Sequence, residues 1–317
     1  QLDLLGFEYI EVGHGMGIGA SERVRRAAAS DIDYAKSTQE AVLQNKWGMF
    51  AIPGVALPNE VEEIFDYGMD FIRVGIDANN LELGLNFVEK IKRPNREIFV
   101  NFMKSYALPR KELASRVNSA INCGVDGVYL VDSAGGILPD EIENLAEIML
   151  ENKGNSKIGF HGHDNLGLAV YNSYKVASLG FDIVDCTLQG LGRSSGNAET
   201  EQLVAILSKT GKNQEYDLIN VLRLGEESVR PKIPLPGHSG LDTFAGLNLF
   251  HTSYMDDLIE VSRQVGVDPF VLMQEHCKKN LITASKSELF SKATELRNLG
   301  VALRSPLPQD KYVGNEQ

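Results

Sequence analysis

The stretch Gly159-Phe160-His161-Gly162-His163-Asp164-Asn165 places two imidazoles two residues apart. It follows the apolar run Lys157–Phe160, which reads as a β-strand, and it leads into a helix-length segment. Side chains two apart on a strand share a face, so His161 and His163 point together. Neutral imidazoles are good ligands for first-row divalent metals, and the pair is a candidate metal site. Asp164 or Asn165 then caps the next helix. The plainer alternative is one packed and one exposed histidine, but two of the chain's six histidines sit here.

Three further stretches carry chemistry-bearing residues. In Val131-Asp132-Ser133-Ala134-Gly135-Gly136 a small hydroxyl precedes glycines, leaving room and free N–H groups for a carboxylate. The alternative for Ser133 is a plain helix cap. The glycine-rich run from Gln189 through Arg193 and Asn197 to Glu201 can approach a ligand closely, and a phosphate or coenzyme A ligand stays open there. Val12–Ala20 contains His14 and an echo of the dinucleotide fingerprint, but Ser21–Asp33 is too polar and basic to be the helix that fingerprint opens. His14 is instead read as ending a strand at the same mouth as His161, or as a core or capping histidine.

These residues need a scaffold that gathers strand ends. Strands are predicted at Tyr9–Val12, Gly48–Ile52, Phe71–Ile76, Glu97–Met103, Gly127–Val131, Lys157–Phe160 and Asp182–Thr187, alternating with amphipathic helices. Gly68, Gly124 and Gly180 stand where helices end. The alternation implies parallel strands with crossover helices, and the fold class expected is a (β/α)8 TIM barrel whose first strand precedes Gln1. Its active site then lies at the C-terminal ends of the strands. After Pro231 the texture changes to a proline- and glycine-rich stretch, then helices: about Thr243–Val265, Pro269–Asn280 behind Asp268, and one opened by the capping box at Ser285. The expected division is a catalytic barrel over 1–235 and a helical domain over 236–317, ending in a polar tail from Ser305.

Bulk composition narrows the function class. The chain has 317 residues, 43% hydrophobic and 23% charged, as in a globular enzyme. Its net charge of -12 disfavours nucleic acid, whose phosphates it would repel. No apolar run is long enough for a membrane span and no signal peptide is visible. Three cysteines, Cys123, Cys186 and Cys277, make no disulfide framework and fit a reducing cytoplasm.

In order, the motifs EVGHG, VDSAGG, GFHGHDNLGL and GLGRSSGNAETE resemble those of the TIM-barrel metallolyases with an Asp-Arg-Glu-type metal site. Among them the chain is most similar to the 4-hydroxy-2-oxovalerate aldolases, pyruvate-specific class II aldolases, over nearly its whole length. The resemblance implies that His161 and His163 hold a divalent metal, with Mn²⁺ ahead of Co²⁺ or Mg²⁺. It implies that Ser133 binds the pyruvate carboxylate, that Asn197 lies near the metal and that Phe244 stands where a tyrosine shapes the aldehyde pocket. The family's Thr-Leu-Arg-Asp-Gly motif, with the third ligand and neighbouring acid/base, does not occur in this sequence, so the acid/base is expected upstream of Gln1, with His14 as the candidate within it.

The activity implied is retro-aldol cleavage of a 4-hydroxy-2-keto acid to pyruvate and a short aldehyde. A metal on the keto and carboxylate oxygens stabilises the enolate while a base takes the hydroxyl proton. The competing readings are a Claisen-type acyl-CoA synthase or lyase, like isopropylmalate synthase or 3-hydroxy-3-methylglutaryl-CoA lyase, and a non-catalytic barrel homologue. The resemblance also implies an aldehyde (acetaldehyde) dehydrogenase docked on the helical domain, and a homodimer is a further expectation. Leu247, Phe250, Tyr254, Leu258 and Val261, spaced by threes and fours, form the apolar stripe expected at that surface.

Overall fold

The computed structural model describes residues 1–77, 80–212, 216–233 and 239–301. The expected domain boundary at 235/236 and the tail from Ser305 lie outside them. Seven strands alternate with helices: β1 (Tyr9–Glu11), α1 (Ala20–Arg23), α2 (Asp31–Ala41), β2 (Lys46–Ala51), α3 (Pro58–Asp66), β3 (Phe71–Asp77), α4 (Leu81–Ile91), β4 (Glu97–Met103), α5 (Arg110–Asn122), β5 (Gly127–Asp132), α6 (Pro139–Asn152), β6 (Lys157–Gly162), α7 (Ala169–Leu179) and β7 (Ile183–Val184). All pair in parallel in sequence order, β1 to β7. The sheet curls into a barrel, for its far-apart strands meet across the interior. Lys157 on β6 donates to Tyr9 on β1 at 2.5 Å, and Arg73 on β3 reaches both Glu11 on β1 and Asp185 beyond β7.

The period of two along each strand sorts side chains between two cores. Ile72, Val74, Val100, Val128, Leu130, Ile158 and Phe160 face outward and pack under the helices. Phe71, Phe99, Tyr129 and Val131 face inward, with Tyr9 and Ile183 against them. Successive rings meet edge-on, Tyr9 to Phe71 at 5.2 Å and Phe99 to Tyr129 at 5.8 Å between centroids. Below them Glu97 accepts from Tyr9, Lys46 and Lys157, plugging the N-terminal end with a satisfied polar cluster. Above them the same inward alternation runs from Gly159 to His161 and sets that imidazole at the barrel's upper end.

The strand expected at Asp182–Thr187 is shorter. It stops at Val184, because Thr187 leaves to bridge Glu199 in the returning loop. Beyond the barrel come α8 (Thr200–Lys209), α9 (Leu218–Leu224), α10 (Gly240–Asn248), α11 (Met255–Val265), α12 (Pro269–Cys277) and α13 (Lys286–Asn298). Helices α10 to α13 build their own apolar core around Leu241, Met255, Leu258, Leu272 and Leu289. The expected caps are present: Asp268 accepts from Phe270 N–H, and Ser285 with Glu288 forms the capping box.

The single helix expected over Thr243–Val265 is two. Leu249 takes a left-handed conformation (φ 54) that ends α10, and a turn over Thr252–Tyr254 precedes α11. The expected docking stripe is therefore not one face. Phe250, Leu258 and Val261 are buried in the helical core, whereas Leu247 is 64% exposed. The helical unit sits on the barrel mouth at close range: a Cβ on Gly136, in the β5 loop, would lie 2.2 Å from the Gly246 carbonyl oxygen.

Among the described residues no helix is long and apolar enough to cross a membrane. All three cysteines are unbridged. Burial pushes their thiols up, to about 11 for Cys123 and Cys186 and about 12 for Cys277, so they stay protonated and unreactive near neutral pH.

Candidate active site

His161 and His163 project from the end of β6 with rings edge-on, 5.1 Å apart. Each Nδ1 faces an acceptor. That of His161 lies 3.0 Å from Asp185 Oδ2 and that of His163 lies 3.3 Å from the Gly196 carbonyl. A carbonyl or ionised carboxylate can only accept, so both Nδ1 atoms carry the proton and both Nε2 atoms present lone pairs. Burial, then the Arg193 charge, holds the His163 pKa well below its usual value and keeps the ring neutral. The two rings fit a divalent metal as two of its donors, His163 once its Nε2 exchanges the Arg193 Nη2 hydrogen bond, 3.3 Å, for the metal. Among the described residues no group of three His, Cys, Asp or Glu side chains is arranged to hold one.

Asp185 is itself fixed. Arg73, buried among apolar β3 neighbours, donates to Asp185 and forks onto Glu11 through Nε and Nη2 at 2.5 and 2.6 Å. Burial works to raise the Asp185 pKa, but the Arg73 charge and the His161 hydrogen bond outweigh it, and the carboxyl sits below its ordinary value. A cation enclosed by two carboxylates thus orients the imidazole that Asp185 holds.

Ser133 is buried at the end of β5, and its Oγ accepts from the Lys104 backbone N–H at 3.0 Å, leaving its hydroxyl hydrogen to donate. The helix-cap alternative falls, since α6 starts at Pro139 behind Leu138. Asp132 ties the turn instead, accepting from Gly136 and Ile137 N–H at 3.1 and 3.0 Å. Burial, partly offset by those bonds, pushes its pKa up to about 6. Lys104 Nζ, also buried, binds Asp77 at 2.7 Å and the Ile282 carbonyl at 2.6 Å, strapping the helical unit to β4.

The loop after β7 folds back over β6. Gly196, at φ 100, accepts from Asp164 N–H at 3.0 Å, and Asn197 forms a backbone bridge with His163. Asn197 Nδ2 turns to the Leu191 carbonyl. Ser194 is pinned from two sides: Asn165 donates to it at 2.6 Å and it donates to Asp242 on α10 at 2.9 Å. Next to it, Arg193 Nη2 lies 3.3 Å from His163 Nε2 and 3.3 Å from His251 Nε2.

Of the residues singled out from sequence, the structure gathers His161, His163 and the backbone of Asn197 into one place, with Ser133 on the neighbouring strand end. His14 lies in the loop after β1, its Nδ1 accepting from Met16 N–H at 2.9 Å. Phe244 packs edge-on against Phe270 in the helical core, 5.2 Å between centroids. The helical unit reaches the site through His251 instead. Sequence reasoning missed Arg73, Asp185, Arg193 and His251. A lone charge within the apolar β3 run was a signal for Arg73, and the single cation of the glycine-rich loop was one for Arg193. His251 had none, because its segment reads as continuous helix.

The chain matches the HMGL-like family model over residues 73–227. It is 31% identical to a 4-hydroxy-2-oxovalerate aldolase of Carboxydothermus hydrogenoformans over 83% of each chain. It is 34% identical to an oxaloacetate decarboxylase of Mycobacterium tuberculosis, over 74% of this chain and 69% of the relative. In structure it resembles the N-terminal domain of a putative aldolase from Bacteroides vulgatus, with TM-score 0.67 and 24% identity over 81% of this chain and 87% of that one. It also resembles a carboxyl transferase domain of Rhizobium etli pyruvate carboxylase with pyruvate and biocytin, with TM-score 0.73 and 18% identity over 95% of this chain and 55% of that one. Both structural likenesses concern the barrel fold.

Proposed function

Because the chain belongs to the 4-hydroxy-2-oxovalerate aldolase family of HMGL-like proteins, an aldolase-like lyase family, we propose that it cleaves a 4-hydroxy-2-keto acid to pyruvate and a short aldehyde with a divalent metal, Mn²⁺ first. The observation that carries this reading is the imidazole pair with both Nδ1 atoms engaged, which leaves an acceptor Nε2 on each ring, that of His163 now facing Arg193 Nη2 at 3.3 Å. His161 and His163 hold the metal, which, when bound, supplies the Lewis acidity that favours an enolate over a ketone. Ser133 donates its remaining hydrogen to the keto acid carboxylate. The covering loop and the helical unit exclude water from the reacting carbons. The test is pyruvate release from a panel of 4-hydroxy-2-keto acids with MnCl₂ added. Release from none of them removes the proposal.

Decarboxylation of oxaloacetate is the second reading, favoured by the Mycobacterium tuberculosis relative. Losing carbon dioxide leaves the same pyruvate enolate as losing an aldehyde, so one site suits both, and oxaloacetate belongs in the panel. For either substrate, Ser133→Ala should raise KM by about 10-fold or more, since a hydrogen bond to a carboxylate is worth about 1.5–3 kcal/mol. An unchanged KM assigns Ser133 to the Lys104 turn alone. An aldehyde dehydrogenase partner and a homodimer remain part of the proposal, and co-elution on size exclusion tests both.

A further inference from the structure

Lys104 follows β4 where the backbone turns left-handed, at φ 59. A side chain is disfavoured there, because its Cβ crowds the following carbonyl oxygen, so the conformation needs outside support. The support comes through the lysine's own ammonium. The side chain is 4% exposed and is gripped from two directions. Asp77, at the end of β3, binds Nζ at 2.7 Å, and the Ile282 carbonyl, between α12 and α13, accepts from it at 2.6 Å. The Tyr254 ring lies beside it, 5.5 Å from Nζ to the centroid. The acceptor on the helical unit is itself fixed. Asn280 Oδ1 accepts from Ile282 and Thr283 N–H at 2.9 and 3.1 Å, and the Thr283 carbonyl lies 2.8 Å from His276 Nε2.

The same left-handed residue carries the N–H that Ser133 Oγ accepts, at 3.0 Å. That bond takes one lone pair of the Oγ and so limits where its hydroxyl hydrogen can point. Ser105, the next residue, ties the turn to β5 by accepting from Val131 N–H at 3.1 Å, and it donates to the Phe102 carbonyl at 2.6 Å. The turn therefore keeps its place beside β5 through Ser105, and what Lys104 sets is the direction of one amide. Its ammonium meets the helical unit 178 residues away, and its amide meets Ser133 on the neighbouring strand end.

We propose that Lys104 is a positioning residue for the keto acid: the helical unit, seated on its ammonium, holds its backbone left-handed, and that backbone aims the Ser133 hydroxyl at the substrate carboxylate. This rests on the keto-acid reading above and on Ser133 as its carboxylate donor. It makes substrate binding depend on how the helical unit is seated, and by linkage a bound keto acid tightens that seating.

The experiment measures pyruvate binding by calorimetry with MnCl₂, KM against kcat in cleavage, and hydrogen exchange of the residue 104 amide. The full chain is compared with Lys104→Met, Lys104→Gly, Ser133→Ala and Ser133→Ala/Lys104→Met. Lys104→Met keeps the apolar stem and loses the ammonium, so the left-handed cost is no longer offset. It should raise KM by about 5- to 10-fold, with kcat changed much less and metal stoichiometry kept, and exchange at residue 104 should quicken. Lys104→Gly loses the ammonium as well, yet glycine takes the left-handed conformation without that cost, so it should recover much of the KM and slow the exchange again. A lysine that only staples the helical unit predicts the opposite order, with glycine no better than methionine. The double variant should bind no worse than Ser133→Ala, because Lys104 acts through Ser133. An unchanged KM in Lys104→Met, or no recovery in Lys104→Gly, overturns the inference while wild-type cleavage keeps the aldolase reading. Additive losses in the double variant overturn the route through Ser133. If wild type cleaves no panel member yet binds pyruvate in this Lys104-dependent way, the cleavage reading fails and the positioning role stands. If it neither cleaves nor binds, both fall. Should Lys104→Met not fold, Lys104→Gln takes its place beside Lys104→Gly.

Discussion

His161→Ala and His163→Ala should each reduce cleavage to the uncatalysed background and strip bound metal, while the barrel stays folded. Both residues sit at the end of β6, above the layer of Phe71, Phe99 and Tyr129 that fills the interior, so neither anchors the core. Each supplies one of two Nε2 lone pairs whose partner nitrogen is already engaged, and losing one leaves a single imidazole. Asp185→Asn should be milder, about 10- to 100-fold in metal affinity, the usual cost of losing the group that orients a ligating imidazole. Metal content by elemental analysis, pyruvate release and thermal melts together give the check. Full metal stoichiometry in both alanine variants would sink the assignment, and an unfolded pair would make the histidines structural.

Arg73→Leu should destabilise the fold by about 3–5 kcal/mol, the cost of breaking a buried charge cluster by removing one partner. Glu11 and Asp185 would be left facing each other across the barrel without the cation that now binds both. The cost should depend on pH with a definite sign. The Asp185 pKa is held below its unfolded value, so its contribution is present above the ordinary carboxylate range and is lost as pH falls through the lowered folded pKa. Removing Arg73 abolishes that depression, and the gap between variant and wild type should therefore close as pH falls below about 4. Urea melts at several pH values measure it. A gap that is small at neutral pH, or that widens in acid, would contradict the account. Metal affinity should fall as well, because His161 is oriented only as firmly as Asp185 is.

Much of the scaffold was legible in the sequence because it rests on short-range rules. Strand period set which side chains face the barrel interior, and it alone aligned His161 with His163. The caps at Asp268 and Ser285 act within three residues, and both are found as read. The helix expected over Thr243–Val265 shows the limit of such rules. Nothing local forbids its continuation, and the break at Leu249 puts a branched side chain in a left-handed conformation that isolated chains avoid. That break is held by tertiary contacts, with Gly246 against Gly136 and Asp242 on Ser194.

What the sequence by itself determined was the alternation of parallel strands and helices, the helical addition after it, and a paired-imidazole donor set at one strand end. The tertiary structure decided what surrounds that pair. Arg73 meets Glu11 across 62 residues and Asp185 across 112, and Arg193 meets His251 across 58. No periodicity encodes such distances. They follow from how far the sheet curls and where the helical unit comes to rest, which depend on packing summed over the whole core, whereas a strand pattern or a helix cap depends only on its neighbours along the chain.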